Sequence, residues 1–207
     1  MGFFHSKYIS LNLQCFGKRR QTRISIETVN AIKLIILSLR SNARIMDHRW
    51  LVRPEGGLHN RVVQEFVQAI QRGDIRTIQT LLDTGYNLRA CQALYTYLSR
   101  LEDPLIPLPI QSLVLDGNEG VPATVVASDI MGLINQELSE NRAELISLIL
   151  YLMDMMIQFS PADELQGNTW PASMLPIFFD MQSRHMVEWR RIATIFFEMI
   201  KQAGDYL

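Results

Sequence analysis

Cysteine is scarce in this sequence, and its scarcity limits the chemistry that the chain can carry. Only two cysteines, Cys15 and Cys91, occur among 207 residues, at no paired spacing and without a histidine partner nearby. Such usage supports neither a disulfide framework nor a cysteine-based metal site, and a reducing compartment is the default environment. We predict a protein that holds no metal and no cofactor.

Long apolar runs are also missing. A membrane-spanning helix needs about 20 consecutive apolar residues, whereas the longest candidate, residues 144–156, is shorter and is interrupted by Asp154. The N-terminus lacks a secretory hydrophobic region because Lys7, Asn12 and Gln14 punctuate it. These absences predict a cytoplasmic protein, for which peripheral attachment is the one membrane contact left open.

An excess of one charge sign is missing as well. The formal net charge is -1, so the composition gives no indication of a nucleic-acid partner. No glycine-rich phosphate loop occurs, and the chain is not expected to bind GTP by itself. With 48% hydrophobic and 20% charged residues, the composition is that of an ordinary globular domain.

Helical periodicity is the dominant pattern that the sequence does contain. In residues 25–40, apolar side chains recur at steps of three and four, as on one face of a helix. Similar patterns with polar caps and Gly or Pro stops predict further helices at residues 60–73, 74–85, 88–103, 123–138, 139–159, 171–181 and 188–207. Residues 104–120 are instead predicted to form an extended Pro-rich turn and a polar loop.

The helices define the expected fold class. No convincing β alternation appears, so we predict an all-α fold of about eight or nine helices. The chain length suits a single domain, which we place at residues 15–207, behind an N-terminal extension at residues 1–14.

One arginine stands at an unusual place. Arg53 follows the apolar run Trp50-Leu51-Val52 and precedes Pro54, Glu55 and two glycines. Because Pro and Gly break regular structure, Arg53 is expected at the root of a loop just after a buried segment. On these residues alone, a solvated loop arginine is the favoured explanation, and a functional arginine is the alternative.

Five stretches, in order along the chain, share motifs with one known family. They are CFGK at 15–18, WLVRPEGG at 50–57, ALYTYLSRLEDPLIP at 93–107, LSENRAELISLILYLMDMMIQFS at 138–160 and NTWPASMLPIFF at 168–179. Their counterparts are Phe-Gly, Gly-x-Phe-Arg-x-x-Gly, Leu-Pro-Glu-Pro-Leu-Leu-Pro, Leu-Pro-x-x-Asn-Arg and Asn-Lys-Met-Thr-x-x-Asn-Leu-Ala-x-x-Phe. In this order and spacing, the chain resembles the Rho GTPase-activating domain family, RhoGAP, over almost its whole length.

The resemblance implies a role for Arg53. In RhoGAP domains, the arginine of this loop enters the active site of a bound GTPase as a finger. A planar, permanently charged guanidinium suits the negative charge that spreads over the γ-phosphate oxygens during hydrolysis. The resemblance therefore implies that the chain is not itself an enzyme but activates a Rho-family GTPase in its GTP-bound state, with Arg53 as the catalytic residue.

The resemblance also implies a partner-binding surface around Arg53. On this surface the resemblance places eight residues. Those in and just before the finger loop are Arg49, Pro54, Glu55 and Gly56. Those in and just after the helix before the Pro-rich turn are Tyr95 and Arg100, and those in the last motif are Asn168 and Met174.

Two of these positions depart from the family. Tyr95 stands where the family commonly has a lysine, and Met174 stands where it has an asparagine that contacts the GTPase. A methionine cannot replace the donor and acceptor of an amide, and Glu55 beside Arg53 can compete with phosphate for the guanidinium. The alternative is a RhoGAP-like module that binds a GTPase, or another protein, without accelerating hydrolysis.

A third hypothesis involves no family. Gly2 lies in a Met-Gly-x-x-x-Ser pattern that permits N-myristoylation. Stable anchoring requires a second signal, for which palmitoylation of Cys15 and the basic residues 18–23 are candidates. With both signals the chain becomes a membrane-associated helical scaffold, whereas an unmodified N-terminus is the simpler alternative.

Overall fold

The computed structural model describes residues 23–42, 50–51, 60–115, 118–159, 172–182, 185 and 187–204. Within these ranges the chain forms nine α-helices and no strand, which confirms the prediction of an all-α fold with eight or nine helices. They are α1 Ile26–Arg40, α2 Arg61–Arg72, α3 Ile75–Asp83, α4 Asn87–Leu98, α5 Leu108–Leu115, α6 Ala123–Glu137, α7 Glu140–Phe159, α8 Leu175–Phe178 and α9 Trp189–Ala203. A 3₁₀ turn, Ala172–Met174, leads into α8.

Side-chain caps define where the first three helices begin. Ser25 Oγ accepts a hydrogen bond from the amide of Thr28 at 3.2 Å, and Asn60 Oδ1 accepts one from Val63 at 3.3 Å. Asp74 Oδ1 accepts from the amide of Thr77 at 3.0 Å. Each cap satisfies an N–H group that has no partner within its helix. The predicted starts of these helices are confirmed to within one residue.

Helix α7 lies at the centre of the fold. All side chains from Leu148 to Met156 are buried, as expected for a helix that is apolar on nearly every side. Helix α7 contacts α1, which packs with α2, α3 and α4, and it also contacts α9, which packs with α5 and α6. It therefore joins an N-terminal and a C-terminal group of helices around one core.

Aromatic packing attaches the short helix α8 to α9. The ring centroids of Phe178 and Phe196 are 4.8 Å apart, and those of Phe179 and Phe196 are 5.8 Å apart in an edge-on arrangement. All three side chains are fully buried. Because four residues are too few for an independently stable helix, this packing is what holds α8 in place.

Two predictions for the middle of the chain were wrong. Residues 108–115 form helix α5, not a loop: the amides of Ile110 and Gln111 both donate to the carbonyl of Pro107 at 3.0 Å. Its one proline, Pro109, lies in the first turn, where a missing N–H costs little. Helix α4 ends at Leu98 and not next to Pro104, because Arg100 and Leu101 already donate to carbonyls three residues earlier, at Tyr97 and Leu98.

Candidate functional site

The segment that carries Arg53 is attached to the core at one described point. Leu51 is fully buried and Trp50 packs partly buried against the core, so the predicted buried run before the loop is confirmed at these two residues. Downstream, Asn60 begins α2. The finger-loop residues of the predicted site, namely Arg49, Arg53, Pro54, Glu55 and Gly56, lie outside the described residues.

Three further predicted residues also lie outside the described part of the chain. They are the lipidation candidates Gly2 and Cys15 and the partner-binding candidate Asn168. The N-terminal extension at residues 1–14 lies there as well. Tyr95, Arg100 and Met174 are the predicted site residues that the structure describes.

Arg100 links the end of α4 to the beginning of α2. Its side chain is exposed, and Nη2 donates a hydrogen bond to Gln64 Oε1 at 3.1 Å. Gln64 lies four residues after the Asn60 cap, so Arg100 contacts the helix that immediately follows the finger loop. Tyr95, five residues earlier on α4, is half-buried against the core. The partner-binding role of both residues stays a prediction.

A polar cleft of about 380 Å³ lies beside Arg100. It brings together side chains from the start of α1 and from the ends of α2 and α4: Arg23, Ser25, Thr28, Gln71, Tyr97, Arg100, Leu101 and Glu102. Two guanidinium groups and one carboxylate make it suited to polar side chains of a partner protein. Burial raises the pKa of Tyr97, while its hydrogen bond with Thr28 opposes that shift, so this phenol stays protonated.

The start of α1, at the same cleft, already has an acidic partner. The carboxylate of Glu27 accepts hydrogen bonds from its own backbone N–H and from Ser25, and these bonds hold the pKa of Glu27 below its usual value. An anion that approached this helix N-terminus would meet a like charge. The cleft is therefore better suited to a mixed polar contact than to a free phosphate.

Met174 corrects one prediction. Its side chain is fully buried and belongs to the hydrophobic core, together with Leu175 and Ile177, which follow it as the 3₁₀ turn runs into α8. A partner cannot contact this side chain in the described conformation. The assignment of Met174 to the partner-binding surface was therefore wrong.

Arg142 is the residue whose role the sequence did not predict. It lies in the first turn of α7 and is buried, with Nε donating to the carbonyl of Leu105 at 2.7 Å and Nη2 to that of Pro104 at 2.5 Å. Burial lowers the pKa of its guanidinium, and the charge of Asp103 opposes the shift. A buried cation without a carboxylate bonded to it is costly unless carbonyl oxygens satisfy it, and here they do.

The turn that Arg142 holds also contacts α8. The amides of Leu105 and Ile106 donate to the carbonyls of Ile177 and Phe178 at 2.9 and 3.1 Å. Gln111, buried in α5, donates to the carbonyl of Ile106 and accepts from the amide of Asp180 at 2.8 Å. We call residues 104–106 with these partners the central turn. The signal for it in the sequence was the arginine that opens the apolar α7.

The described residues contain neither a candidate metal site nor a candidate membrane-spanning helix. No three histidine, cysteine, aspartate or glutamate side chains in them form a group that could hold a metal ion. Likewise, none of the helices assigned there has the length and apolar character required to cross a bilayer. Comparisons with family models, with curated proteins and with solved structures yield no match.

Proposed function

We propose that this chain is a divergent RhoGAP-like domain that stimulates GTP hydrolysis by a Rho-family GTPase, with Arg53 as the arginine finger. The proposal starts from the sequence resemblance, and one structural observation carries it further. Three of the five stretches that resemble the family, distant from one another in the chain, meet at the central turn.

The contacts at the central turn give this observation its weight. The turn belongs to the stretch 93–107, Arg142 belongs to 138–160, and Ile177 and Phe178 belong to 168–179. Arg142 bonds two carbonyls of the turn, and two amides of the turn bond α8. Motifs of one inherited fold are expected to contact one another in the structure, whereas accidental matches to short patterns need not do so.

The last described residue before the finger loop is anchored in the core. Leu51 is fully buried, and Arg53 follows it by two residues in the chain. An arginine that must enter a partner's active site gains from a fixed base, because positioning is most of what phosphoryl transfer requires of the protein. Arg100 bonds Gln64 in α2, the helix that follows the loop in the chain.

Binding without stimulation is the second candidate function. It is favoured by the two family positions that lack their polar groups: Met174 is buried, and Tyr95 presents a half-buried phenol where the family has lysine. In that case the cleft beside Arg100 contributes to binding, but the transition state lacks part of its usual support.

Single-turnover GTP hydrolysis with a panel of Rho-family GTPases tests the proposal. We expect the wild-type chain to accelerate hydrolysis and Arg53→Ala to lose that acceleration, which for a finger supplied in trans is about 10³ to 10⁵ in rate. Arg76→Ala, at an exposed arginine of α3, is the matched control and should act as wild type. Circular dichroism must show that both variants stay folded.

The outcomes separate the two candidates. Stimulation by Arg53→Ala equal to wild type contradicts the finger. Absence of stimulation by the wild type, together with binding to a GTPase loaded with a non-hydrolysable GTP analogue, supports the binding module. If the wild type neither stimulates nor binds any member of the panel, both candidate functions are wrong.

A further inference from the structure

A groove lies between α6 and α7 and shares no lining residue with the cleft beside Arg100. It has a volume of about 550 Å³ and is lined by Asn135, Leu138, Glu140, Ala143, Glu144, Ser147 and Leu148. The α7 members follow at steps of three and four residues, so they form one stripe along that helix. Helices α6 and α7 are joined by a short turn at residues 138–139 but make little contact with each other. This stripe is therefore partly uncovered. We call it the α6–α7 groove.

Small side chains form the floor of the groove. Ala143 and Ser147 are half-buried, and the larger side chain of Leu138, at the end of α6, lines the groove beside them, while Leu148 is buried in the core. Small side chains let another helix approach a helix backbone closely, and large ones beside them provide ridges for it to pack against. The floor therefore has the shape of a helix-packing surface, and among the assigned helices none covers it fully.

Helix α1 borders the groove with an exposed leucine. Lys33 Nζ donates to Glu144 Oε1 at 2.8 Å, which places this side of α1 at the groove. Leu37 follows Lys33 by one helical turn, on the same side of α1, and it is 49% exposed. A leucine at this position adds apolar surface that a partner can bury.

The rim of the groove is acidic. Glu140 and Glu144 line it, and the exposed Glu137 ends α6 beside it. A carboxylate in the last turn of a helix is disfavoured by the helix dipole, at about 0.3–1 kcal/mol, so Glu137 does not contribute to the stability of α6. Of the described residues placed at this rim, three are glutamates and one is a lysine, Lys33, which is paired with Glu144.

We infer that the α6–α7 groove binds an amphipathic helix of a partner protein, one whose apolar stripe is flanked by lysine or arginine. The apolar stripe covers Leu138, Ala143 and Ser147, and the basic side chains face the glutamates of the rim. This is the helix-in-groove mode of recognition. Because exposed ion pairs contribute little energy, the apolar contact supplies most of the affinity and the charges select the partner. The inference does not depend on the proposed GTPase activity.

Fluorescence anisotropy with the full chain and a labelled peptide tests the inference. The probe is a helical peptide of about 18 residues, or five turns, with leucines at helical spacing flanked by lysines; the control peptide has glutamates in place of the lysines. We expect the basic peptide alone to bind. Ser147→Arg fills the floor and should weaken binding at least tenfold. Glu140→Gln with Glu144→Gln should weaken it about two- to tenfold, and more so at low salt.

A matched variant and a folding control complete the design. Asp129→Asn removes an exposed carboxylate of α6 that does not line the groove, and it should bind the peptide like wild type. Ser147 is half-exposed on a helix, where arginine is well tolerated, so Ser147→Arg should melt close to the wild-type temperature. Equal binding by Ser147→Arg and wild type, or equal binding of both peptides, overturns the inference.

Two other occupants would also overturn it. If the molar mass from light scattering rises with concentration and Ser147→Arg abolishes the rise, the groove binds a second copy of this chain. If Arg19→Ser with Arg20→Ser in the full chain raises the affinity for the basic peptide, the chain's own basic segment occupies the groove.

Discussion

Replacing Arg142 by methionine is the sharpest test of the central turn. The substitution removes two hydrogen bonds from a guanidinium to the carbonyls of Pro104 and Leu105. Bonds from charged donors contribute about 1.5–3 kcal/mol each, or about 3–6 kcal/mol together. Methionine regains part of this because it no longer buries a charge. We therefore expect a net loss of about 2–4 kcal/mol in the free energy of unfolding.

Urea denaturation followed by circular dichroism measures this loss. Arg142→Lys retains a charge but not the fork of donors, so it should lie between methionine and wild type. Arg76→Met, at an exposed arginine of α3, is the control and should stay within about 0.5 kcal/mol of wild type.

Hydrogen exchange adds a local measurement at the same turn. The amides of Leu105 and Ile106, which bond α8, should lose protection in Arg142→Met beyond the global effect. If Arg142→Met costs less than about 1 kcal/mol, or no more than Arg76→Met, the two carbonyl bonds do not hold the turn and the reasoning fails.

Three further predictions address other parts of the chain. Gly73 and Gly85 both have positive φ, but a Cβ at Gly73 collides with Glu27, whereas one at Gly85 meets nothing within 4 Å. In thermal denaturation, Gly85→Ala should therefore cost about 1–2 kcal/mol and Gly73→Ala at least about 1 kcal/mol more. Equal costs of the two substitutions would contradict this packing. Burial raises the pKa of the Cys91 thiol, so a thiol reagent at pH 8 should leave Cys91 unlabelled until denaturant is added. Peptide mass spectrometry follows the labelling, and rapid labelling of Cys91 in the native protein would refute this prediction. Hydrogen bonds from the hydroxyl and the amide of Thr77 hold the pKa of Asp74 below its ordinary 3.8. The stability that Asp74 contributes is therefore fully present above pH 3.8 and is lost as the pH falls through the lower pKa of the folded state. Between about pH 5 and 2 the melting temperature of Asp74→Asn should fall less than that of wild type, and parallel plots of melting temperature against pH would show that Asp74 does not titrate with folding.

The helices that could be predicted from the sequence are those whose signals are local. Helices α1, α2 and α3 combine apolar periodicity with a cap residue, so both their existence and their starts followed from a few adjacent side chains. Helix α5 could not be predicted in that way, because its signals are tertiary. It is short, uncharged and preceded by prolines, and the buried Gln111 bonds Ile106 and Asp180 from it. The spacing of Ile110 and Val114 was the one local hint.

The placement of the candidate site residues could be predicted from the sequence for some residues and not for others. Arg100 was expected near the partner surface and lies exposed beside the finger loop's helix α2. Met174 was placed there only by correspondence with the family. Its neighbours Leu175 and Ile177, both apolar, indicated burial instead. Arg142 could not be assigned from the sequence because its partners are backbone carbonyls, and every residue has one.

The first turn of α7 shows how one stretch can serve fold and recognition at once. Arg142 points inward to the central turn, and Asn141 Nδ2 donates to the carbonyl of Ile24 at 3.1 Å, just before α1. Glu140 and Glu144 point outward to the α6–α7 groove. Because successive helix positions face different directions, a change at Arg142 or Asn141 removes hydrogen bonds that stabilise the fold, whereas a change at the exposed Glu140 costs at most its helix-dipole contribution of about 0.3–1 kcal/mol. Variants in this one turn can therefore separate loss of fold from loss of a partner.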